Sequence, residues 1–251
     1  RILSYPCQER NGLVWTYMGP RKEPPQLPML EWNCNPNNIP VLWKNHRACN
    51  WVQTMEGDLD TSHINFLHRV LDPSMGGTTS GRPLPGRQRN GINLTRGDTK
   101  PRLDVRQTEY GLVYSAVRAL EEGMEYHRIH PFLFPFHTMI GGSVGDDGEL
   151  TGFNGKAWVP MDDNQTLVLE WHLRPGRPWT EKERQQIIKN RNPHGFVPDN
   201  TLDSVGQWKL TANESNNFLW DYELQRNQLY FGVLSNPLQD GAVQQSMGPI
   251  F

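Results

Sequence analysis

Between residues 102 and 172 the sequence reads as one strand after another, and no other feature limits the fold so tightly. Leu103-x-Val105 leads to apolar-rich runs at 110–118, 125–130, 132–140, 151–159 and 165–172. Polar turns separate them at Glu121-Glu122-Gly123, Gly145-Asp146-Asp147-Gly148 and Met161-Asp162-Asp163-Asn164. Strands joined by turns this short run antiparallel, because a parallel pair needs a long crossover. His127 and His130 look like a metal pair, but residues three apart in a strand face opposite sides. They read, with His46, His137, His172 and His194, as structural or pocket-lining residues.

The flanks are of other kinds. Residues 1–19 alternate around a polar Glu9-Arg10-Asn11-Gly12 turn, a hairpin signal. Residues 20–40 hold Pro20, Pro24, Pro25, Pro28, Pro36 and Pro40, which predict an extended connection and a domain boundary, with one large domain over 41–251. Residues 72–88, rich in Gly and Pro, form a long irregular loop, read as a lid, a substrate-access loop or an insertion. Thr180 with Glu183 is a capping box, and 214–228 reads as a helix with Phe218, Leu219, Tyr222 and Leu224 on its apolar side. A further helix begins at Asn236, with Asn236 as cap, Pro237 in the first turn, Gln239 completing a capping box and Asp240 complementing the helix dipole.

The chemistry concentrates in residues 50–68. Val52, Met55, Leu59, Ile64 and Leu67 keep a roughly helical period, and Asp60 lies three before His63, on the same face. His63 and His68 are five apart, a turn of roughly 140° on a regular helix. They share a ligand only where the helix is unwound or carries a π-bulge. One reading is an amphipathic helix with two hydrogen-bonded histidines. Another is a metal pair: two imidazoles and a distant carboxylate, with positions left open, describe a non-heme Fe(II) oxygenase. The same set with zinc and a water serves a hydrolase, and a metal-free cavity would bind an apolar ligand.

Asp60-x-x-His63-x4-His68, preceded by Asn50-Trp51-x-Gln53-x-x-Glu56-Gly57, resembles the mononuclear iron motif of Rieske-type aromatic-ring oxygenases, most closely the phthalate dioxygenase branch. Tyr5-Pro6-Cys7-Gln8-Glu9-Arg10-Asn11-Gly12-Leu13-Val14-Trp15 is similar to the close of that family's Rieske domain. Gln239-Asp240-Gly241-Ala242-Val243 is similar to its third-ligand motif. The resemblance implies an α+β catalytic domain, a curved antiparallel sheet wrapped around long helices in a helix-grip shape. It implies Fe(II) held by His63, His68 and Asp240, with Asp221 as runner-up for the third ligand, and Asp60 as the electron bridge to a neighbouring subunit's cluster. It implies O2 and an aromatic, carboxylated substrate met by Arg128, Asn50, Arg87, Arg89 and Phe136. An NAD(P)H-dependent reductase and a homotrimer, or a multiple of one, complete the expected partners, and the outcome is hydroxylation or O-demethylation.

A [2Fe-2S] Rieske cluster takes two Cys and two His. None of Cys7, Cys34 and Cys49 has a histidine at the required spacing. The cluster is therefore expected in a full-length protein and not on these 251 residues. The chain reads as a catalytic-domain fragment led by a Rieske remnant at 1–19. A formal charge of −2 gives no case for nucleic acid or anionic membrane as partner. No run approaches the roughly 20 apolar residues of a membrane span, and an odd cysteine count suits a reducing cytoplasm. Nine Trp and nine Phe supply core and an aromatic pocket.

Overall fold

The computed structural model describes residues 2–72, 98–120, 123–144, 150–198 and 206–250. The predicted strand run forms β4 (Arg102–Thr108), β5 (Gly111–Ala119), β6 (Glu125–Leu133), β7 (His137–Val144), β8 (Leu150–Asp162) and β9 (Gln165–Leu173). Each pairs antiparallel with the next. A seventh strand, β3 (Val41–Arg47), joins the far edge by pairing with β9 from Val41↔His172 to Arg47↔Thr166, giving the order β3-β9-β8-β7-β6-β5-β4. Its sequence hides it, because Asn45, His46 and Arg47 are all buried and the usual alternation of polar and apolar residues fails.

Two faces of the sheet are covered differently. Alternation along β8 sends Trp158 to one face and Ala157 to the other. Trp158 and Val168 pack with Phe132 and with Met55 of α2 (Trp51–Leu59). On the same side, Leu238 and Ala242 of the last helix pack with Trp43 and Phe218. Ala157 and Trp171 meet Trp32 of α1 (Glu31–Cys34), which stacks on Trp15. Trp15 belongs to the hairpin of β1 (Cys7–Arg10) and β2 (Leu13–Thr16). Its turn residues Asn11 and Gly12 both have positive φ, the geometry that matches strand twist in two-residue hairpins.

The helices are shorter than expected. α2 has nine residues, and α3 (Glu181–Arg191) and the last helix have eleven each. α3 starts with the predicted Thr180–Glu183 capping box. The single helix expected over 214–228 is instead a 3₁₀ segment, Glu214–Leu219, and a separate α4, Tyr222–Asn227. Asn217, Phe218 and Leu219 take positive φ, which no helix tolerates, as the chain turns to bury Phe218. The last helix, α5 (Asn236–Ser246), is capped one residue earlier than predicted, at Ser235, and carries no side-chain capping bond. No helix of the described residues is long and apolar enough to cross a membrane.

Two glycines let α2 and α5 approach their neighbours. A Cβ on Gly57 of α2 would stand 2.3 Å from the Gln244 amide of α5, and one on Gly241 of α5 would stand 2.5 Å from the Arg47 guanidinium of β3. Arg47 is buried and donates to Gln244 Oε1 and to the Pro237 carbonyl, so it ties β3 to both ends of α5.

Candidate metal centre

The helix expected through residues 50–68 stops at Leu59. Asp60 is extended (φ −76°, ψ 125°), and a 3₁₀ turn follows at His63–Asn65. Two side chains of β5 fix this break from below: Tyr114 Oη donates to the Leu59 carbonyl at 2.7 Å and Arg118 Nη2 donates to the Thr61 carbonyl at 3.0 Å. Tyr114 and Arg118 are four apart on a strand, hence on one face, and both are buried. The Asp60 carboxylate accepts from the backbone N–H groups of Ser62 and His63 and meets His63 Nδ1 at 3.2 Å. Unwinding was the condition for His63 and His68 to face one point, and the segment unwinds between Leu59 and His63.

Three donors converge there from positions 63, 68 and 240. His63 Nε2 lies 3.2 Å from His68 Nε2 and 3.6 Å from Asp240 Oδ1, and His68 Nε2 lies 3.0 Å from the same oxygen. A triangle of these edges has a circumscribed radius of about 1.9 Å, close to the roughly 2.0–2.2 Å typical of nitrogen and carboxylate ligands, so His63, His68 and Asp240 would be able to hold one ion together. His63 Nδ1 faces Asp60 and His68 Nδ1 lies 2.6 Å from Gln239 Oε1, both acceptors. Each neutral ring therefore carries its proton on Nδ1 and turns an Nε2 lone pair inward. Two lone pairs and a carboxylate oxygen facing one another repel unless a cation lies between them. Among the described residues this is the one group of three such side chains able to share an ion.

Without an ion, a proton shared with the rings also eases this crowding. Burial pushes the Asp240 carboxyl up, but His68, His63 and Lys156 outweigh it and hold the group far below the usual carboxylate range. The His63 hydrogen bond does the same for Asp60, aided by two backbone N–H groups, against its burial. Burial lowers the His63 pKa, and the Asp60 and Asp240 carboxylates more than reverse it. Below the site, the buried Asp58 carboxylate accepts from Thr138 and pairs with Lys156, anchoring α2 to β7 and β8.

The remaining residues singled out by sequence fall elsewhere. Asp221 is exposed and caps α4, accepting from the backbone N–H of Glu223 and Leu224. Asn50 caps α2 through Val52 and donates to the Asp163 carbonyl in the β8–β9 turn. Its side chain thus serves the helix end. Phe136 packs between the two aromatic clusters of β8 and β9. Arg128 donates twice to the Gly141 carbonyl and borders a cleft of about 210 Å³ with Asn154, His172 and Trp179. A separate cleft of about 220 Å³, between α2 and α5, reaches Asp60, His63 and Asp240. Arg87, Arg89 and the 72–88 loop beyond Asp72 lie outside the described residues. His127 is exposed, whereas His130 is buried and stacked on Tyr114, as opposite strand faces require.

Sequence reasoning missed Tyr114, Arg118 and the contact of Gln239 with His68. Gln239 was read as a capping residue and as the residue before the ligand in the third-ligand motif, without a partner for its own side chain. The β5 pair left no signal beyond alternation.

Fold and centre together define a class: a domain presenting two histidines and one carboxylate to a single point above an antiparallel sheet. The chain belongs to the LigXa C-terminal domain-like family, matched over residues 16–251. It is 34% identical to the 3-chlorobenzoate-3,4-dioxygenase oxygenase subunit of Comamonas testosteroni, over all of this chain and 56% of that one. It is 27% identical to the phthalate 4,5-dioxygenase oxygenase subunit of Pseudomonas putida, over 98% of this chain and 53% of that one. The chain thus spans about half the length of the curated relatives it matches. A solved terminal oxygenase of carbazole 1,9a-dioxygenase from Nocardioides aromaticivorans IC177 aligns at TM-score 0.43 and 14% identity, over 74% of this chain and 52% of that one.

Proposed function

We propose that this chain is the catalytic domain of an oxygenase component in which His63, His68 and Asp240 hold one Fe(II). The observation that carries this reading is the inward convergence of two ring nitrogens and one carboxylate oxygen, with both outer ring nitrogens already facing acceptors. Bound iron would supply open positions for O2 beside an organic acceptor. The chain's own residues hold the rings in one tautomer, keep Asp240 ionised and provide the Asp60 carboxylate behind His63. Asp60 is the link to a Rieske [2Fe-2S] cluster on a neighbouring subunit, which fits a side chain 48% exposed at the rim of the α2–α5 cleft.

The substrate is aromatic and carboxylated, as the names of the chlorobenzoate and phthalate enzymes suggest by analogy. Arg128 meets its carboxylate: the guanidinium is largely buried and forms no ion pair with a carboxylate among the described residues. The cluster domain precedes this one, residues 1–19 are its end and 20–40 the connection. Electrons arrive from an NAD(P)H-dependent reductase, in an assembly that is a homotrimer or a multiple of one.

Anaerobic purification followed by metal analysis tests the reading. About one iron per chain, lost together with either histidine, is the expected result. Stoichiometric zinc would replace it with a hydrolase, and no metal at all would leave a cavity that binds an apolar ligand.

A further inference from the structure

We propose that Gln239 is the positioning residue for His68, locking the second ligand to the same helical turn that carries the third; this rests on the metal reading above. Gln239 is 3% exposed, and both ends of its amide are committed. Oε1 lies 2.6 Å from His68 Nδ1, while Nε2 donates to the Val233 carbonyl at 2.8 Å. The second bond decides the first. An amide can be turned over, but turning this one would set Nε2 against the ring and Oε1 against a carbonyl oxygen. With the amide fixed as an acceptor toward the ring, a neutral His68 carries its proton on Nδ1 and turns the Nε2 lone pair toward His63 and Asp240.

The two histidines are thus held by unlike partners. His63 leans on a carboxylate from its own loop, and His68 on a neutral amide delivered from 171 residues away. The neighbour of Gln239 on α5 is Asp240, so one turn fixes the position of two ligands relative to each other. A shift of α5 would move the Asp240 oxygen and the His68 ring together.

The test uses the full chain with Co(II), whose visible spectrum reports ligand geometry. Affinity is measured by chelator competition, and melting of the metal-free protein is followed alongside. Gln239→Met keeps length and apolar stem and removes both polar bonds; Co(II) affinity should fall 10- to 100-fold with an altered spectrum. Gln239→Glu keeps an acceptor for the ring while placing an oxygen against Val233, so most affinity should return although the metal-free protein melts lower than wild type. Wild-type affinity and spectrum in the Met variant would overturn the proposal, as would equal losses of affinity in both variants that track only their melting points. Should zinc rather than iron copurify with the wild type, the iron reading fails while the same comparison with Zn(II) still decides the role of Gln239. A wild-type chain that binds none of these ions overturns both.

Discussion

The donors come from two regions built on opposite plans. Residues 59–68 form an interrupted segment whose path is set from outside, by Tyr114 and Arg118 of β5 gripping the Leu59 and Thr61 carbonyls. α5 is an uninterrupted helix whose place is set by close packing, with Gly241 against Arg47 and Gln244 against Gly57. The first region obtains an unusual ligand spacing at the expense of regular backbone bonding, and the sheet replaces the missing bonds. The second keeps regular bonding and obtains precision from fit. A centre that joins the two tolerates different kinds of damage on its two sides.

Removing a donor should outweigh any damage to its supports. Asp240→Ala should abolish metal binding in anaerobic metal analysis and also lower melting of the metal-free chain at neutral pH, since a carboxyl held far below its usual range stabilises the fold in its ionised form. Asp221→Ala should leave metal content unchanged and cost about 1 kcal/mol through the lost cap. Retained metal in the Asp240 variant would break the pairing of the two regions.

On the packed side, Gly241→Val drives a branched side chain into the Arg47 guanidinium. Denaturant unfolding should show a loss of about 1–3 kcal/mol from overpacking, accompanied by weaker metal binding because α5 itself is displaced. Unchanged metal affinity would mean that Asp240 is placed by something other than helix packing.

On the interrupted side, pH is the sharper probe. Burial, with Arg128 and Arg118 nearby, lowers the His130 pKa to about 3 from an ordinary value of 6.5. The unfolded chain therefore takes up a proton that the folded chain refuses, and stability falls as pH drops from 6.5 toward 3, by up to about 1.4 kcal/mol per pH unit. His130→Phe keeps the ring stacked on Tyr114 and should flatten this limb between pH 6.5 and 4.5 in urea titrations. An unchanged slope would show that His130 does not contribute. Tyr114→Phe, the smallest change, removes one bond to Leu59 and should cost about 1 kcal/mol, with metal affinity shifted through His63 more than through overall stability. Equal metal affinity would leave Arg118 and Asp60 as the groups that fix the break.

Much of this was legible because it depends on local pattern. The strands β4 to β9 follow from alternation and short polar turns, and the 63/68 spacing itself demanded an unwound helix. β3 was not legible because its buried His46 and Arg47 find their partners on β9 and α5, far away in sequence. The 214–228 stretch misled because Phe218 and Leu219 have helical spacing, yet Phe218 reaches the core through a positive-φ turn that the spacing cannot reveal. Gln239 misled for the opposite reason: a local capping role and its place beside the ligand Asp240 both accounted for it, so nothing in the sequence called for a partner 171 positions upstream.

That separation along the chain also makes the centre a clasp. His68 and Gln239 close a loop containing six of the seven strands of the sheet, β4 to β9, and the closure entropy of so long a loop must be met before its contacts repay it. An ion gripped by residues on both sides of the closure binds only the shut form. At a hundredfold excess over its Kd it would stabilise that form by about 2.7 kcal/mol. Metal supply would then set how long the chain survives proteolysis as well as whether it reacts, and apoprotein would be cleared faster than its sequence and core alone would imply.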